Sequence, residues 1–141
     1  SYLIVGVELY SENTGVYTGE IYVSKVKDGS DSPIAWFRID KTRKTIEAYV
    51  YTYNGREDAV AFYRTYKENN PIPSIDQFAI LVFVESLLGV NPGDTVWIKT
   101  VVTYCSSGGE CSPPDESEWI EFTYYPLRLI VNKIRMEYFG R

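Results

Sequence analysis

Residues 1–10, SYLIVGVELY, decide the fold class of this chain. The apolar side chains of the stretch fall at every second position, and in an extended backbone they share one face: Leu3, Val5, Val7 and Leu9. A period of two predicts a β-strand, since the apolar positions of a helix recur every three to four residues. The stretch is therefore expected to be a strand with one face suited to a core.

The rest of the sequence repeats this strand signal between turns. The chain has 141 residues, which suits a single domain, and 16% of them are aromatic, including 13 Tyr. Tyr, Val, Ile and Thr favour strands, and turn signals recur roughly every ten residues, as in β-sandwiches. We predict a mainly all-β, single β-sandwich or jelly-roll-like domain over residues 1–141, with about eight strands. The last of these strands is LRLIVNKIRMEYF, residues 127–139.

Two segments depart from the plain strand pattern. In DAVAFYRTYKENN, residues 58–70, apolar and aromatic side chains fall at helical spacing and Asp58 is placed as a cap, which predicts one short helix over residues 58–69. In SIDQFAILVFVESLLG, residues 74–89, Ser74 and Gln77 have the spacing of a helix capping box, whereas the solid run FAILVFV suits a buried strand. We predict a strand for the centre of this second segment, with a helix as the alternative.

The charge balance and the residue types present argue against several functions. The formal net charge is −5 with no basic run, whereas nucleic-acid binding needs a cationic face. No apolar stretch reaches the ~20 residues that span a bilayer, so no membrane insertion is expected. The sequence contains no His, which removes Ser–His and Cys–His nucleophile systems and His-ligated zinc. We therefore predict no enzyme activity, no catalytic residue, no metal site and no cofactor.

Cys105 and Cys111 lie at the tip of a predicted hairpin, in YCSSGGECS, residues 104–112. The residues between them are small or polar and include two Gly that permit a tight turn, so a disulfide is predicted. The alternative is a pair of free thiols in a cytosolic protein. The first residue is Ser rather than Met, and together with a disulfide this predicts a secreted chain whose signal peptide has been removed, at an extracellular or cell-surface location.

The two faces of the predicted strand TIEAYVYTY, residues 45–53, differ in size. Tyr49, Tyr51 and Tyr53 share one face, and the opposite face carries smaller side chains suited to a core: Ile46, Ala48, Val50 and Thr52. A Tyr row that faces outward forms an aromatic platform for a partner surface or for sugar rings. The alternative is that the short helix of residues 58–69 covers the row.

The three Trp residues, Trp36, Trp97 and Trp119, are all expected within strands. Trp97 follows the turn NPGDTV, where a sandwich passes from one sheet to the other, and a Trp at such a place is expected to be buried between the sheets. Trp36 and Trp119 are candidates to extend the Tyr row.

The first strand raises the question of self-assembly. It can pair at the edge of its own sheet, or it can complete the sheet of a neighbouring copy of the chain. In the second case the chain leaves a groove where a strand is missing, and Leu3, Val5, Val7 and Leu9 of a neighbour fill it. Repeated head to tail, this contact does not close and builds a filament. A structure in which these side chains pack inside their own subunit contradicts donation.

The chain is small, Tyr-rich and predicted to be all-β, and its first seven residues carry no charged side chain. In these features it resembles the subunits of archaeal bundling pili and of the related bacterial biofilm-matrix fibres. Those subunits are secreted β-sandwiches joined by donor strands. The resemblance implies that residues 1–10 form a donor strand, that the partner is a homopolymer of the chain, and that the role is structural.

Two functions are therefore expected as alternatives. The first is an extracellular structural subunit that self-assembles into a pilus-like surface filament. The second is a secreted carbohydrate-binding or adhesive β-sandwich module with surface glycans as partners, which uses the face of Tyr49, Tyr51 and Tyr53. Fibres of the purified protein in negative-stain electron microscopy favour the first, and monodisperse particles favour the second.

Overall fold

The chain folds into β-strands joined by turns. The computed structural model describes residues 3–11, 14–29, 32–52, 55–59, 61–66, 74–82 and 89–125. Within these ranges ten strands occur: β1 (Leu3–Ser11), β2 (Val16–Ser24), β3 (Ala35–Asp40), β4 (Thr45–Thr52), β5 (Gly55–Asp58), β6 (Ala61–Tyr66), β7 (Ser74–Val82), β8 (Thr95–Cys105), β9 (Asp115–Glu116) and β10 (Ile120–Thr123). The described ranges contain no helix, and hence none long and apolar enough to cross a membrane. The predicted last strand, residues 127–139, lies outside the described residues.

The strands form two antiparallel sheets. The small sheet has three strands in the order β1-β7-β6. The large sheet has seven, in the order β10-β8-β2-β3-β4-β5, with β9 paired to β8. In the run β2-β3-β4-β5, strands that follow one another in the sequence also lie side by side in the sheet, as expected for an antiparallel sheet built from consecutive strands.

The core lies between the two sheets. The rings of Phe37 in β3 and Phe78 in β7 have centroids 4.5 Å apart, so the sheets pack face to face. Alternate side chains of both sheets point into this layer, and β-branched and aromatic residues predominate among those with no exposed surface: Val5, Val7, Ile21, Val23, Ala35, Phe37, Ile39, Ile80, Val90 and Val96. The all-β sandwich predicted from the period-two pattern is confirmed.

β1 pairs within its own chain. It runs antiparallel to β7 along its whole length, from the pair Leu3 and Val82 to the pair Ser11 and Ser74. Val5 and Val7 have no exposed surface and Leu9 is buried, while the side chain of Leu3 lies outside the described part. This cis pairing counts against the predicted donation of residues 1–10 to a neighbouring copy, and the donation stays a prediction for the assembled protein.

The helix predicted over residues 58–69 is wrong where the structure describes this segment. Asp58 ends β5, where it pairs with Tyr49, and residues 61–66 form β6 beside β7. The segment is rich in aromatic residues that also favour strands, and pairing along β7 outweighs the helical spacing of its apolar positions. The helix that was to cover the Tyr row is therefore absent from residues 58, 59 and 61–66, and residues 60 and 67–69 lie outside the described part.

The strand predicted for the centre of residues 74–89 is confirmed in the part that the structure describes. Ser74–Val82 is β7, the central strand of the small sheet, with β1 on one side and β6 on the other. Phe78 and Ile80 face the core, and Ala79 and Leu81 between and after them are half-buried, so the apolar run has partial cover on both faces. Ser74 and Gln77 lie in this strand and cap no helix, and residues 83–88 lie outside the described part.

A buried ion pair joins the two sheets. Lys41 follows β3 directly, and its Nζ donates to Oδ1 of Asp76 in β7 at 2.8 Å. The Lys41 side chain is 5% exposed and that of Asp76 is 0% exposed. Each charge has lost its water, and their mutual attraction is what makes burial of either tolerable. The pair therefore links the large sheet to the small sheet and fixes the position of Lys41 relative to β7.

The predicted disulfide is confirmed. Cys105 at the end of β8 is bonded to Cys111, and the two residues also form an isolated antiparallel bridge. The Ser106 amide donates to the Glu110 carbonyl at 2.7 Å, and Gly109 adopts a φ of 90°, which a residue without Cβ tolerates. The bond and the tight turn together hold the loop against the end of β8.

Removal of this cross-link is expected to lower the free energy of unfolding by roughly 2 kcal/mol, the chain-entropy value for so short a loop. The variant is Cys105→Ser with Cys111→Ser, compared with the native protein by urea denaturation. Ser107→Ala, an exposed change in the same loop, is the control and is expected to leave the midpoint where it is. An unchanged midpoint in the double variant contradicts a stabilising role for the bond.

Candidate functional site

The Tyr row predicted on β4 lies on the outer face of the large sheet. Val50 is buried in the core, and Ile46 and Ala48 pack against the core, so the opposite face of β4 points away from it. Tyr49 and Tyr51 occupy that outer face and are half-buried. Tyr53 lies outside the described residues.

Strand register brings Trp36 beside the Tyr row. Trp36 of β3 is paired directly with Tyr49, and their rings stack with centroids 5.2 Å apart and an interplanar angle of 20°. The guanidinium carbon of Arg56, on β5, lies 4.2 Å from the centroid of the Tyr49 ring. Such cross-strand aromatic and cation–π contacts hold the rings in fixed orientations. The result is a rigid aromatic surface across β3, β4 and β5.

A second aromatic group surrounds Lys99 on the other half of the same face. Lys99 of β8 is paired with Tyr22 of β2, and its Nζ lies 5.6 Å from the Tyr22 ring centroid and 4.9 Å from that of Trp119. The same Nζ lies 3.2 Å from Oε1 of Glu116 in β9. These side chains line an open groove of about 680 Å³, together with Pro33 and Pro114. The groove thus combines ring faces, a cation and a carboxylate.

Glu20 lies between the two groups. In the register of the sheet it is paired with Trp36 on one side and with Val101 of β8 on the other. The Tyr22 hydroxyl donates to Oε1 of Glu20 at 3.3 Å. Burial of the Tyr22 ring, then the charge and hydrogen bond of Glu20, and then the charge of Glu116 raise the pKa of the phenol above its ordinary value of 10.0. Tyr22 therefore keeps its proton and remains a hydrogen-bond donor at any physiological pH.

We call this continuous surface the aromatic face and define it by five rings: Tyr22, Trp36, Tyr49, Tyr51 and Trp119. Tyr49 and Tyr51 were predicted from the sequence to face outward, and Trp36 and Trp119 were only candidates to extend that row. Tyr22 was missed. The signal that was available is alternation, because Tyr22 and Trp36 occupy the positions between the apolar core residues of their own strands.

The prediction that Trp97 is buried between the sheets is wrong. Trp97 is half-buried, whereas Val96 and Ile98 on either side of it belong to the core. Alternation along β8 therefore places Trp97 on the outer face, where Nζ of Lys27 lies 5.7 Å from its ring centroid. Trp119 also differs from expectation, since it precedes β10 and is not part of it.

Among the described residues, no group of three or more His, Cys, Asp or Glu side chains is arranged to hold a metal ion. The carboxylate of Glu116 is engaged by Lys99.

Comparison with known proteins finds no family model, no curated protein and no solved structure that matches the chain. The resemblance to pilus and biofilm-matrix subunits therefore stays a prediction from the sequence.

Proposed function

We propose that this chain is an extracellular, non-catalytic β-sandwich module that binds carbohydrate through the aromatic face. The observation that carries the proposal is the stacked pair of Trp36 and Tyr49, continued across the same sheet face by the groove at Tyr22, Lys99 and Trp119. No cofactor or metal takes part in such binding.

The composition of the face suits a neutral sugar. Pyranose rings present C–H faces that pack on aromatic rings, and their hydroxyls need donors and acceptors at the ring edges. Tyr22 supplies a phenol, and Glu20 supplies a carboxylate beside it. Lys99 and Glu116 compensate each other at 3.2 Å, so the groove carries little net charge that would select an ion.

The disulfide supports the extracellular part of the proposal. Disulfides form and persist in oxidising compartments and are rare in the cytosol of most cells. Cys105 and Cys111 are the only two Cys in the sequence, and they are bonded to each other. A location at the cell surface would also give the aromatic face access to glycans.

Trp36→Ala is expected to weaken binding to soluble polysaccharide by at least about tenfold, which corresponds to about 1.4 kcal/mol. The change removes the stacking partner of Tyr49 and a large part of the apolar contact area. The measurement is affinity electrophoresis in gels that contain a panel of neutral polysaccharides, with Trp fluorescence titration for the polysaccharide that retards the native protein.

Trp97→Ala is the matched control, because Trp97 is half-buried like Trp36 and lies on the same sheet face, but is not one of the five rings of the aromatic face. It is expected to retain binding. Retention of full affinity by Trp36→Ala, or retardation of the native protein by none of the polysaccharides, contradicts the proposed function. Thermal melts of both variants separate lost binding from lost folding.

Self-assembly into a homopolymer stays a prediction from the sequence. With β1 paired in its own sheet, donation would require β1 to leave β7 of its own chain and to pair with β7 of a neighbouring copy. Negative-stain electron microscopy of the concentrated native protein tests it: fibres support a structural subunit, and monodisperse particles contradict it.

A further inference from the structure

The stack of Trp36 and Tyr49 presents one open ring face in the part of the chain that the structure describes. Trp36, from β3, covers the Tyr49 ring on one side, with centroids 5.2 Å apart. Arg56 comes from β5, on the other side of β4, and its guanidinium carbon lies 4.2 Å from the centroid of the same ring. Both faces of the Tyr49 ring are therefore covered. The open face is that of the half-buried Trp36, on the side of β2.

Glu20 lies directly beside this open face. It is paired with Trp36 in the register of β2 with β3, and side chains at such opposite positions have Cβ atoms about 5 Å apart. Its side chain is on the outer face, because Gly19 and Ile21 on either side of it are buried. Oε1 of Glu20 accepts from the Tyr22 hydroxyl at 3.3 Å. Oε2 is bonded to none of the described residues and is not among the buried polar atoms, so a ligand can reach it.

Glu20 also connects the open face of Trp36 to the groove at Lys99. On its other side Glu20 is paired with Val101 of β8, which lines that groove together with Trp119. Trp36, Glu20 and Val101 thus form one row across three neighbouring strands. The row is roughly 10 Å long, from two spacings of about 4.8 Å between strands, which is longer than one pyranose ring. A ligand that stacks on Trp36 and also enters the groove must therefore contain more than one sugar ring.

The charges near the row favour a neutral sugar over an acidic one. Glu20 places a carboxylate in the middle of the row, where it accepts hydrogen bonds from hydroxyls and repels a carboxylate or sulfate group. Two cations on the neighbouring strands already face carboxylates: Lys99 is 3.2 Å from Glu116, and Arg38 is 3.9 Å from Asp40. Neither is left to offset the charge of Glu20 for an acidic ligand.

We infer that the aromatic face binds a neutral oligosaccharide that lies across the strands, and that Glu20 is the hydrogen-bond acceptor that fixes its position. One sugar ring stacks on the open face of Trp36, a hydroxyl of the ligand donates to Oε2 of Glu20, and a following ring enters the groove beside Trp119. The inference rests on the proposed function, because it specifies the ligand length and the binding mode at the same surface.

Glu20→Ala tests the inference in affinity gels that contain hydroxyethylcellulose, galactomannan, arabinoxylan or dextran. In the gel that retards the native protein, the variant is expected to bind about tenfold more weakly or worse, because a hydrogen bond to a charged group is lost. Glu20→Gln keeps a neutral oxygen acceptor and is expected to show a smaller loss. Thermal melts of each variant separate lost binding from lost folding.

Glu47→Ala is the matched control. Glu47 is an exposed carboxylate on the same sheet face, but it is paired with Arg38 and not with Trp36. The control is expected to be retarded as strongly as the native protein. A loss as large as that of Glu20→Ala would show that the effect depends on the charge of the face in general, and would overturn the role of Glu20.

The ligand length is tested with the hexasaccharide that matches the retarding polysaccharide, which is cellohexaose, mannohexaose, xylohexaose or isomaltohexaose, and with its monosaccharide. The hexasaccharide is expected to bind at least about tenfold more tightly, because only a longer chain reaches both ends of the row. In ¹H–¹⁵N NMR spectra, the indole N–H signals of Trp36 and Trp119 are both expected to shift on titration. The Trp97 signal is expected to stay in place.

The results distinguish failure of this inference from failure of the proposed function. Retardation of the native protein by none of the four polysaccharides overturns both. Where the native protein is retarded, three results overturn the inference alone. They are equal retardation of Glu20→Ala, a hexasaccharide that binds no more tightly than its monosaccharide, and a shift at only one of the indoles of Trp36 and Trp119.

Discussion

Val7→Asp is expected to abolish folding of the chain at room temperature. Val7 has no exposed surface and lies between the sheets, so the change loses the burial of an apolar side chain, worth roughly 1.5–3 kcal/mol. It also places a carboxylate in the core without a partner, at a further cost of several kcal/mol. The sum is on the order of the whole stability of a small domain. Circular dichroism and a urea titration of the purified variant measure the effect.

Val26→Asp is the matched control, because Val26 is 65% exposed in the turn after β2. A surface change of this kind is expected to stay within about 0.5 kcal/mol of the native protein. If Val7→Asp yields a folded monomer of native stability, then β1 does not pack in its own subunit. That result would support the donor-strand hypothesis, which predicts a folded subunit unable to polymerise.

Lys41→Met is expected to destabilise the fold by roughly 3–5 kcal/mol, the cost of removing one member of a buried ion pair. Asp76 is 0% exposed at its side chain and receives the Lys41 ammonium at 2.8 Å, so water cannot replace the lost cation without opening the sandwich. Urea denaturation of the native and variant proteins at neutral pH gives the difference in the free energy of unfolding.

The double variant Lys41→Met with Asp76→Leu decides whether the effect comes from the Asp76 charge that remains after Lys41 is replaced. Replacing both members of a buried pair by apolar side chains of similar size is often close to neutral, so the double variant is expected to recover much of the stability. Glu116→Gln is the control for an exposed pair, since the Glu116 side chain is 59% exposed, and is expected to cost at most about 1 kcal/mol. A small effect of Lys41→Met would show that the pair is not sealed from water.

Side chains alternate between the two faces of the large sheet, so that apolar residues line the core and aromatic or charged residues line the outer face. Along β2, Ile21 and Val23 face the core while Glu20 and Tyr22 face outward, and along β3 Trp36 lies between two core residues. The core side sets stability, and the outer side is free to carry rings and charges without disturbing the packing. Changes on the aromatic face can therefore be tested for binding with less risk of unfolding the domain than changes in the core.

Several features of this protein could be predicted from local patterns in the sequence. The period of two predicted β1 and the two unlike faces of β4, because side-chain direction in a strand depends only on position along that strand. The disulfide was predictable because Cys105 and Cys111 are close in the chain and separated by a flexible turn. The outward direction of Tyr49 and Tyr51 followed from the apolar residues between them.

Tertiary structure decided whatever depends on which strands become neighbours. Residues 61–66 have helical spacing, but β7 offers a complete antiparallel partner, and this makes them a strand. Trp36 meets Tyr49 only through the register of β3 with β4, and Lys41 meets Asp76 only because the two sheets pack together. The sequence likewise did not determine whether β1 pairs within its own chain, as it does with β7 in the structure, or with a neighbouring copy. Which strands pair depends on the free energy of contacts between residues far apart in the chain. The periodicity of a short segment therefore does not predict its partner.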